Sequence, residues 1–354
     1  MSKQSRQSDK MQYSLNLNHF KNRKEKIFME KELKWAVLGT GVIANEMAQA
    51  LKNMGKKLYA VGNRTHAKAI EFAKKYEIEK VYDDFEEMFT DENVDVIYLT
   101  TPHNTHIDFM LKALNNGKHV LCEKSITLNN EELERAVKIA NEKNLILGEA
   151  MTIYNMPLYK SLYDIVKSGK LGPVRMIQIN FGSYKEYDMN NRFFNRNLAG
   201  GALLDIGVYS ISLARLFMSE KPDQILSQVK YAPTGVDEQA GILMMNQSEE
   251  MATISLTLHS KQPKRAVIAC EKAYIEIVEY PRADKAKIFY TETGEIEEIN
   301  EGNTGMALQY ELENMEDSII SGENRMKLQN TVDVMEIMTN LRKEWKMYYP
   351  EEEK

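Results

Sequence analysis

The sequence predicts an α/β protein in two parts. A doubly wound parallel sheet with helices on both faces comes first, and a domain on a mainly antiparallel open sheet follows. Three observations predict this. From Trp35 to about residue 150, short apolar runs alternate with helical segments of about ten residues, the pattern of parallel strands joined by crossover helices. Beyond Met151, strand-like segments follow one another with few helices between them, as antiparallel strands do. The length of 354 residues suits two domains.

Each element has its signal. Trp35-Ala36-Val37-Leu38 is a short apolar strand entering Gly39-Thr40-Gly41, and residues 42–53 read as a helix. A strand over 58–62, a helix over 66–76, a short strand near Val81 and a helix over 84–89 come next. Residues 94–100 form a buried strand, 105–116 a helix, 119–122 a strand, 131–141 a helix and 145–147 a strand. In the second part, 157–167 reads as a helix and 175–184, 225–231, 240–245, 252–259, 265–270 and 274–279 as strands. Helices are expected over 201–218, 306–320 and 331–345. The domains are therefore placed at 34–151 and 152–354.

Residues 1–33 differ from the rest. They hold eight Lys and Arg against four Asp and Glu, a charge of +4, so the remainder carries −10. Apolar residues there show no period. The segment is expected to be a disordered extension, with Met29 as an alternative start; a basic arm for a partner and a short docking helix are the other readings.

Composition narrows the function. A net charge of −6 and a pI near 5.7 oppose nucleic acid as main partner, because a phosphate backbone attracts a basic surface. Cys122 and Cys270 are too few for a disulfide framework or a structural zinc site, and suit a reducing cytoplasm. The longest apolar run, 198–214, is interrupted by Asp205, so no membrane span is expected. The N-terminus lacks a signal-peptide apolar stretch.

Gly39-x-Gly41-x-x-Ala44 lies between a predicted strand and a predicted helix. The first glycine permits a tight turn, the second admits a pyrophosphate, and the small third residue lets helix meet strand. Placed first in the strand–helix alternation, this spacing favours a dinucleotide site at the entry of a Rossmann domain over a mere tight turn. The second strand ends in Gly62-Asn63-Arg64-Thr65 without a carboxylate. An acid there would bind ribose hydroxyls and select NAD, whereas Arg64 can pair with a 2′-phosphate. NADP(H) is the expected cofactor, with NAD(H) possible.

Thr101-Pro102-His103-Asn104-Thr105-His106 and Cys122-Glu123-Lys124 both follow strands, where ligands of doubly wound folds sit. His106 reads as an orienting or helix-start residue, and His103 and His106 lack the further Cys or Glu ligands of a zinc site. Lys124 is placed to polarise a hydroxyl or supply a proton. Asp205 and Tyr209 are four apart in an expected helix and share a face. A carboxylate beside a phenol in an apolar helix demands either chemistry or a local hydrogen bond.

Together these motifs resemble the glucose-fructose oxidoreductase, inositol dehydrogenase and rhizopine catabolism (Gfo/Idh/MocA) family of NAD(P)-dependent oxidoreductases. The pieces are 37–44, 101–106, 117–124, 169–174 and 199–209, in the family's order. The resemblance implies contacts to the dinucleotide from Gly39, Thr40, Gly41, Val42, Ile43, Asn63, Arg64, Thr101, Pro102, Asn104, His106, Glu123 and Lys124. It implies catalysis by Lys124, Asp205 and Tyr209, with Asp205 binding substrate and Tyr209 as acid/base, as in the glucose-fructose oxidoreductase and dimeric dihydrodiol dehydrogenase branch. An adjacent Lys124 ammonium is expected to lower the phenol's pKa. Ser125 stands where the family has proline, which leaves the placement of Lys124 open. Tyr154 and Asn155 stand where relatives have arginine and an aromatic residue; Arg192 is a candidate substitute in contacting substrate. The implied function is hydride transfer between nicotinamide and a sugar, polyol or cyclic diol, by a cytoplasmic homodimer or homotetramer. The alternative is a catalytically silent, nucleotide-bound sensor.

Overall fold

The computed structural model describes residues 32–353. The expectations for residues 1–31 therefore lie outside the described residues. Leu33, assigned from sequence to the extension, is buried in the core.

Strand β1 (Trp35–Leu38) leads into α1 (Val42–Asn53), and β2 (Ala60–Gly62) into α2 (His66–Tyr76). β3 (Lys80–Tyr82), α3 (Phe85–Thr90), β4 (Val96–Leu99), α4 (His106–Asn115), β5 (His119–Glu123), α5 (Asn130–Lys143) and β6 (Leu147–Ala150) complete the first unit. All six strands are parallel, in the order β3-β2-β1-β4-β5-β6. β1 and β4 are buried along their whole length, as expected of strands covered on both faces. The order reverses between β1 and β4, so their carboxyl ends open a crevice beside Gly39.

Next come α6 (Thr152–Asn155), α7 (Pro157–Lys167) and β7 (Val174–Gly182). A π-helical turn over Leu203–Gly207 runs into α8 (Val208–Phe217). β8 (Gln224–Tyr231), β9 (Asp237–Met245), β10 (Met251–Thr257), β11 (Gln262–Cys270), β12 (Ala273–Val278), β13 (Lys285–Tyr290) and β14 (Ile296–Asn300) follow. They form one eight-stranded sheet, β14-β13-β12-β11-β7-β10-β9-β8. Only β7 and β10 pair in parallel. The sequence reading omitted β13 and β14. Both are rich in Lys and Glu, and only alternate residues face inward, so their apolar signal is weak. The segment Arg196–Phe217 is long and apolar enough to cross a membrane, but it is mostly buried inside the protein. It is a core segment, which explains its apolarity.

Two last helices, α9 (Ala307–Ser321) and α10 (Leu328–Glu344), return to the first sheet. Trp35 Nε1 donates to Glu316 Oε1 at 3.0 Å. Asn324 Nδ2 donates to Leu147 O at 2.8 Å. Arg342, almost fully buried, donates to Glu352 Oε2 at 2.6 Å and Oε1 at 2.8 Å, and to Leu128 O. Glu149 Oε1 accepts from Ile126 N at 3.1 Å and its Oε2 from Thr331 Oγ1 at 3.0 Å. Burial pushes the Glu149 carboxyl up to about 7.

Two outcomes follow. Arg342→Ala leaves Glu352 half-satisfied and the Leu128 carbonyl without its donor, and should cost about 3 kcal/mol in urea unfolding; a loss below about 1 kcal/mol would contradict the role given to this side chain. Folded Glu149 holds its proton more tightly than the unfolded chain does. Its contribution therefore favours folding below the ordinary carboxylate pKa and is lost as pH rises through about 7. Glu149→Gln should show a smaller decline in unfolding free energy between about pH 5 and pH 8 than the parent; an equal decline would assign the dependence elsewhere.

Candidate active site

The site begins at the turn after β1. Gly39 has φ +113°, and a Cβ there would lie 2.3 Å from Thr100 Oγ1, so only glycine fits. Gly39 N donates to Gly62 O at 2.8 Å, which sets the Asn63-Arg64 turn beside this loop. Gly41 caps α1 without a side-chain hydrogen bond, and the first turn carries no acidic residue. Its free N–H groups and dipole suit an anion. Thr40 O accepts from Asn45 Nδ2 at 3.3 Å, Ala44 is fully buried, and Val42 is 79% exposed. Ile43 packs against the core. Asn63 Nδ2 donates to Thr65 O at 3.0 Å. Arg64 is exposed, and no ion pair occupies it among the described residues.

A cavity of about 460 Å³ runs from this turn to the second unit. Gly41, Val42, Ile43, Thr100, Thr101, Pro102, His103, Glu123 and Lys124 line one side, and Arg192, Leu198 and Tyr209 the other. Of the residues assigned to the cofactor, Gly39, Thr40, Asn63, Arg64, Asn104 and His106 do not line it, and the last two turn elsewhere. Asn104 Nδ2 donates to Glu351 Oε1 at 2.7 Å, toward the carboxy-terminal segment. His106 is fully buried. Its Nε2 lies 2.8 Å from Thr101 O, and its Nδ1 lies 3.1 Å from Ser125 O and 3.2 Å from Ile126 O. Both ring nitrogens thus face backbone carbonyls, so His106 ties the loop after β4 to the loop after β5.

Lys124 is the centre. Its Nζ donates to Asp205 O at 2.6 Å and Asp205 Oδ1 at 3.3 Å, and lies 4.9 Å from the centroid of the Tyr209 ring. The Lys124–Ser125 peptide is cis although Ser125 replaces proline. Ser125 Oγ donates to Leu204 O at 2.9 Å. The π-helical register around Leu204 and Asp205 shifts the helix's own bonding, and two of its carbonyls accept from the lysine loop. His103 Nε2 donates to Lys124 O at 3.0 Å, which fixes its tautomer. Sequence reading weighed His103 only as a metal ligand; its place directly after a strand end was the available signal. Glu123 accepts from the Tyr98 hydroxyl.

The charges balance around Asp205. Burial works against the Lys124 ammonium, but Asp205, Tyr209 and Glu123 outweigh it and hold it above the usual lysine value. Burial likewise opposes ionisation of Asp205, yet Lys124, Arg192 and His103 keep it below the usual carboxylate range. For Tyr209 the expectation needs correction. Burial raises the phenol more than Lys124 lowers it, and Glu123 and Asp205 add to the rise. The group keeps its proton at neutral pH. The helical face-sharing of Asp205 and Tyr209 also changes, because Asp205 sits in the π-helical turn and Tyr209 in α8; Lys124 links them instead. Tyr154 is buried and Asn155 binds Met151 O and Asn314, so neither reaches the cavity. Arg192 does, with Nη2 3.5 Å from Asp205 Oδ1.

Comparison with known proteins identifies the family. Residues 33–151 match the family model for an oxidoreductase family with an NAD-binding Rossmann fold (Gfo/Idh/MocA), and residues 159–276 match the Gfo/Idh/MocA C-terminal domain. The chain is 29% identical over 316 residues to trans-1,2-dihydrobenzene-1,2-diol dehydrogenase of Xenopus laevis, covering 86% of this chain and 95% of that one. It is 31% identical over 251 residues to the mouse (Mus musculus) enzyme of the same name, covering 69% and 74%. Among solved structures, a levoglucosan dehydrogenase with NADH and levoglucosan superposes with TM-score 0.80 at 17% identity, over 89% of this chain and 98% of that one. A 3-ketoreductase from Actinomadura kijaniata with NADP and TDP-benzene gives TM-score 0.79 at 20% identity, over 88% and 98%. With both domain models matched and the lysine loop closed onto the second unit, the chain belongs to the Gfo/Idh/MocA family of NAD(P)-dependent oxidoreductases.

Proposed function

We propose that the protein is an NADP(H)-preferring dehydrogenase or reductase that interconverts a secondary hydroxyl and a carbonyl on a sugar, polyol or cyclic diol. The observation carrying this reading is that Lys124 Nζ sits between Asp205 and Tyr209, in the cavity whose other end is the bare N-terminus of α1. The Gly39 turn, which a Cβ would fill, and the uncapped helix fit a dinucleotide pyrophosphate. Bound there, the cofactor supplies the hydride donor or acceptor. Relatives named for dihydrodiols and a fold neighbour bound to levoglucosan support the substrate class.

The side chains divide the work. Tyr209 holds a proton at neutral pH and delivers it to the carbonyl oxygen in reduction. Lys124, charged and anchored on Asp205, draws electron density from that oxygen. Asp205 accepts a hydrogen bond from a neighbouring substrate hydroxyl. His103 holds the Lys124 carbonyl and so orients the lysine.

The register of the second sheet supports assembly as a homodimer or homotetramer. Ile296, Phe289, Tyr274, Ala269, Met176, Met251 and Met245 lie in cross-strand sequence along its outer face, and such an apolar row favours a partner sheet. Two unbridged cysteines support a reducing, cytoplasmic setting. The acidic balance supports a small-molecule partner rather than nucleic acid.

Tyr209→Phe should fold, bind NADPH, and lose about 10²–10⁴-fold in turnover. In the parent, reduction should stay level through neutral pH and fall only above the ordinary tyrosine pKa, because the protonated phenol is the active form. Full turnover with an unchanged pH profile would make Tyr209 a packing residue and shift the proton donor to Lys124. For the cofactor, Arg64→Ala should weaken NADPH binding about tenfold with a far smaller effect on NADH. Equal effects on both, read by nicotinamide fluorescence, would refute the 2′-phosphate role.

A further inference from the structure

Asp205 is the carboxylate on which the cations Lys124, Arg192 and Lys185 converge. Lys124 takes its carbonyl at 2.6 Å and its Oδ1 at 3.3 Å. Arg192 Nη2 approaches the same Oδ1 only to 3.5 Å, and its side chain is 59% exposed. The Arg192 guanidinium lies 4.2 Å from the Phe193 ring centroid. Lys185 Nζ lies 4.2 Å from the same ring, and among the described residues it has no hydrogen bond or ion pair. The neighbouring cations differ. Lys264 Nζ pairs with Glu279 Oε2 at 2.9 Å, and Arg282 Nη1 with Glu46 Oε2 at 3.0 Å. Among the described residues Lys185 is therefore left without a counterion, and Arg192 shares Asp205 Oδ1 with Lys124. Burial, then the repulsion of Arg192, Lys124 and Lys264, outweighs the pull of Asp205 and lowers the Lys185 ammonium below the usual lysine value. A half-buried cation short of a counterion is costly, and a bound anion offsets that cost.

We propose that the substrate carries an oxyanion, as a sugar acid or a sugar phosphate does, and that Lys185 and Arg192 hold it while the reacting hydroxyl or carbonyl lies at Lys124 and Tyr209. This rests on the oxidoreductase reading above. The dinucleotide does not account for the two cations. Its phosphates have the helix N-terminus at Gly41 and the exposed Arg64 on the first unit, whereas Lys185 and Arg192 belong to the second unit and surround Asp205. A neutral diol leaves the surplus charge without a partner.

The test uses the full chain loaded with NADP(H) and a matched set: D-glucose, D-glucuronate and D-glucose 6-phosphate. Binding is read by calorimetry and turnover by nicotinamide absorbance. At least one anion should bind about tenfold more tightly than glucose, and the two anionic arms distinguish carboxylate from phosphate. Lys185→Met and Arg192→Met should each lower the anion-to-neutral ratio of affinities about tenfold, and Lys185→Arg should restore most of it. Raised salt should weaken the anion more than glucose. If neither anion binds better than glucose, or if the two Met variants raise the KM for NADPH and leave the ratio alone, the proposal is overturned. Failure of the underlying reading looks different: anion binding persists, but no compound is turned over.

Discussion

One buried ammonium organises the cleft. Lys124 stands at the carboxyl end of β5, where a doubly wound sheet presents its ligand groups, and its Nζ grips the backbone carbonyl of Asp205 in the other half of the chain. A charge in that position needs close partners, and the π-helical turn provides one by presenting carbonyls that a regular helix would consume. The surrounding contacts hold the lysine in place. His103 fixes its carbonyl, Ser125 binds Leu204 O, and His106 ties the two loops beneath. The relative position of the two sheets, and hence the distance from Gly41 to Tyr209, is set through this cluster.

The electrostatics favour one direction of proton movement. A phenol beside an ammonium ordinarily loses its proton more readily. Here the low-dielectric floor of the cleft, with Glu123 and Asp205 nearby, reverses the balance. Sequence gives the neighbours of Tyr209 but not their distances or the water they exclude. Lys124 remains charged because the same carboxylates that disfavour phenolate favour ammonium.

Much of this was legible in the residues. The Gly39 turn and the strand-end loops each have a local pattern with a mechanical reason. What was not legible depends on long-range contact. Asn104 reads as a cleft residue, yet Glu351, far along the chain, draws it away. Lys185 lies in an unremarkable loop and gains its character only from Phe193 and Arg192. From sequence alone, the serine in place of proline leaves the placement of Lys124 open. In the fold its hydroxyl adds a bond between the two halves that proline could not make. β13 and β14 escaped because charged strands at and next to a sheet edge have a faint apolar signature.

The return of α9 and α10 to the first sheet has a thermodynamic consequence. The chain divides near Met151 by pattern, but part of the cover over the first unit comes from beyond residue 306. Trp35, Leu147 and Glu149 find their partners there, and Gly148 leaves no room for a Cβ beside Met326, which would lie 2.8 Å away. Neither half buries its own apolar surface without the other. The two parts should therefore unfold together rather than as independent modules, and a fragment ending at the sequence boundary would expose the apolar surface that α9 and α10 cover.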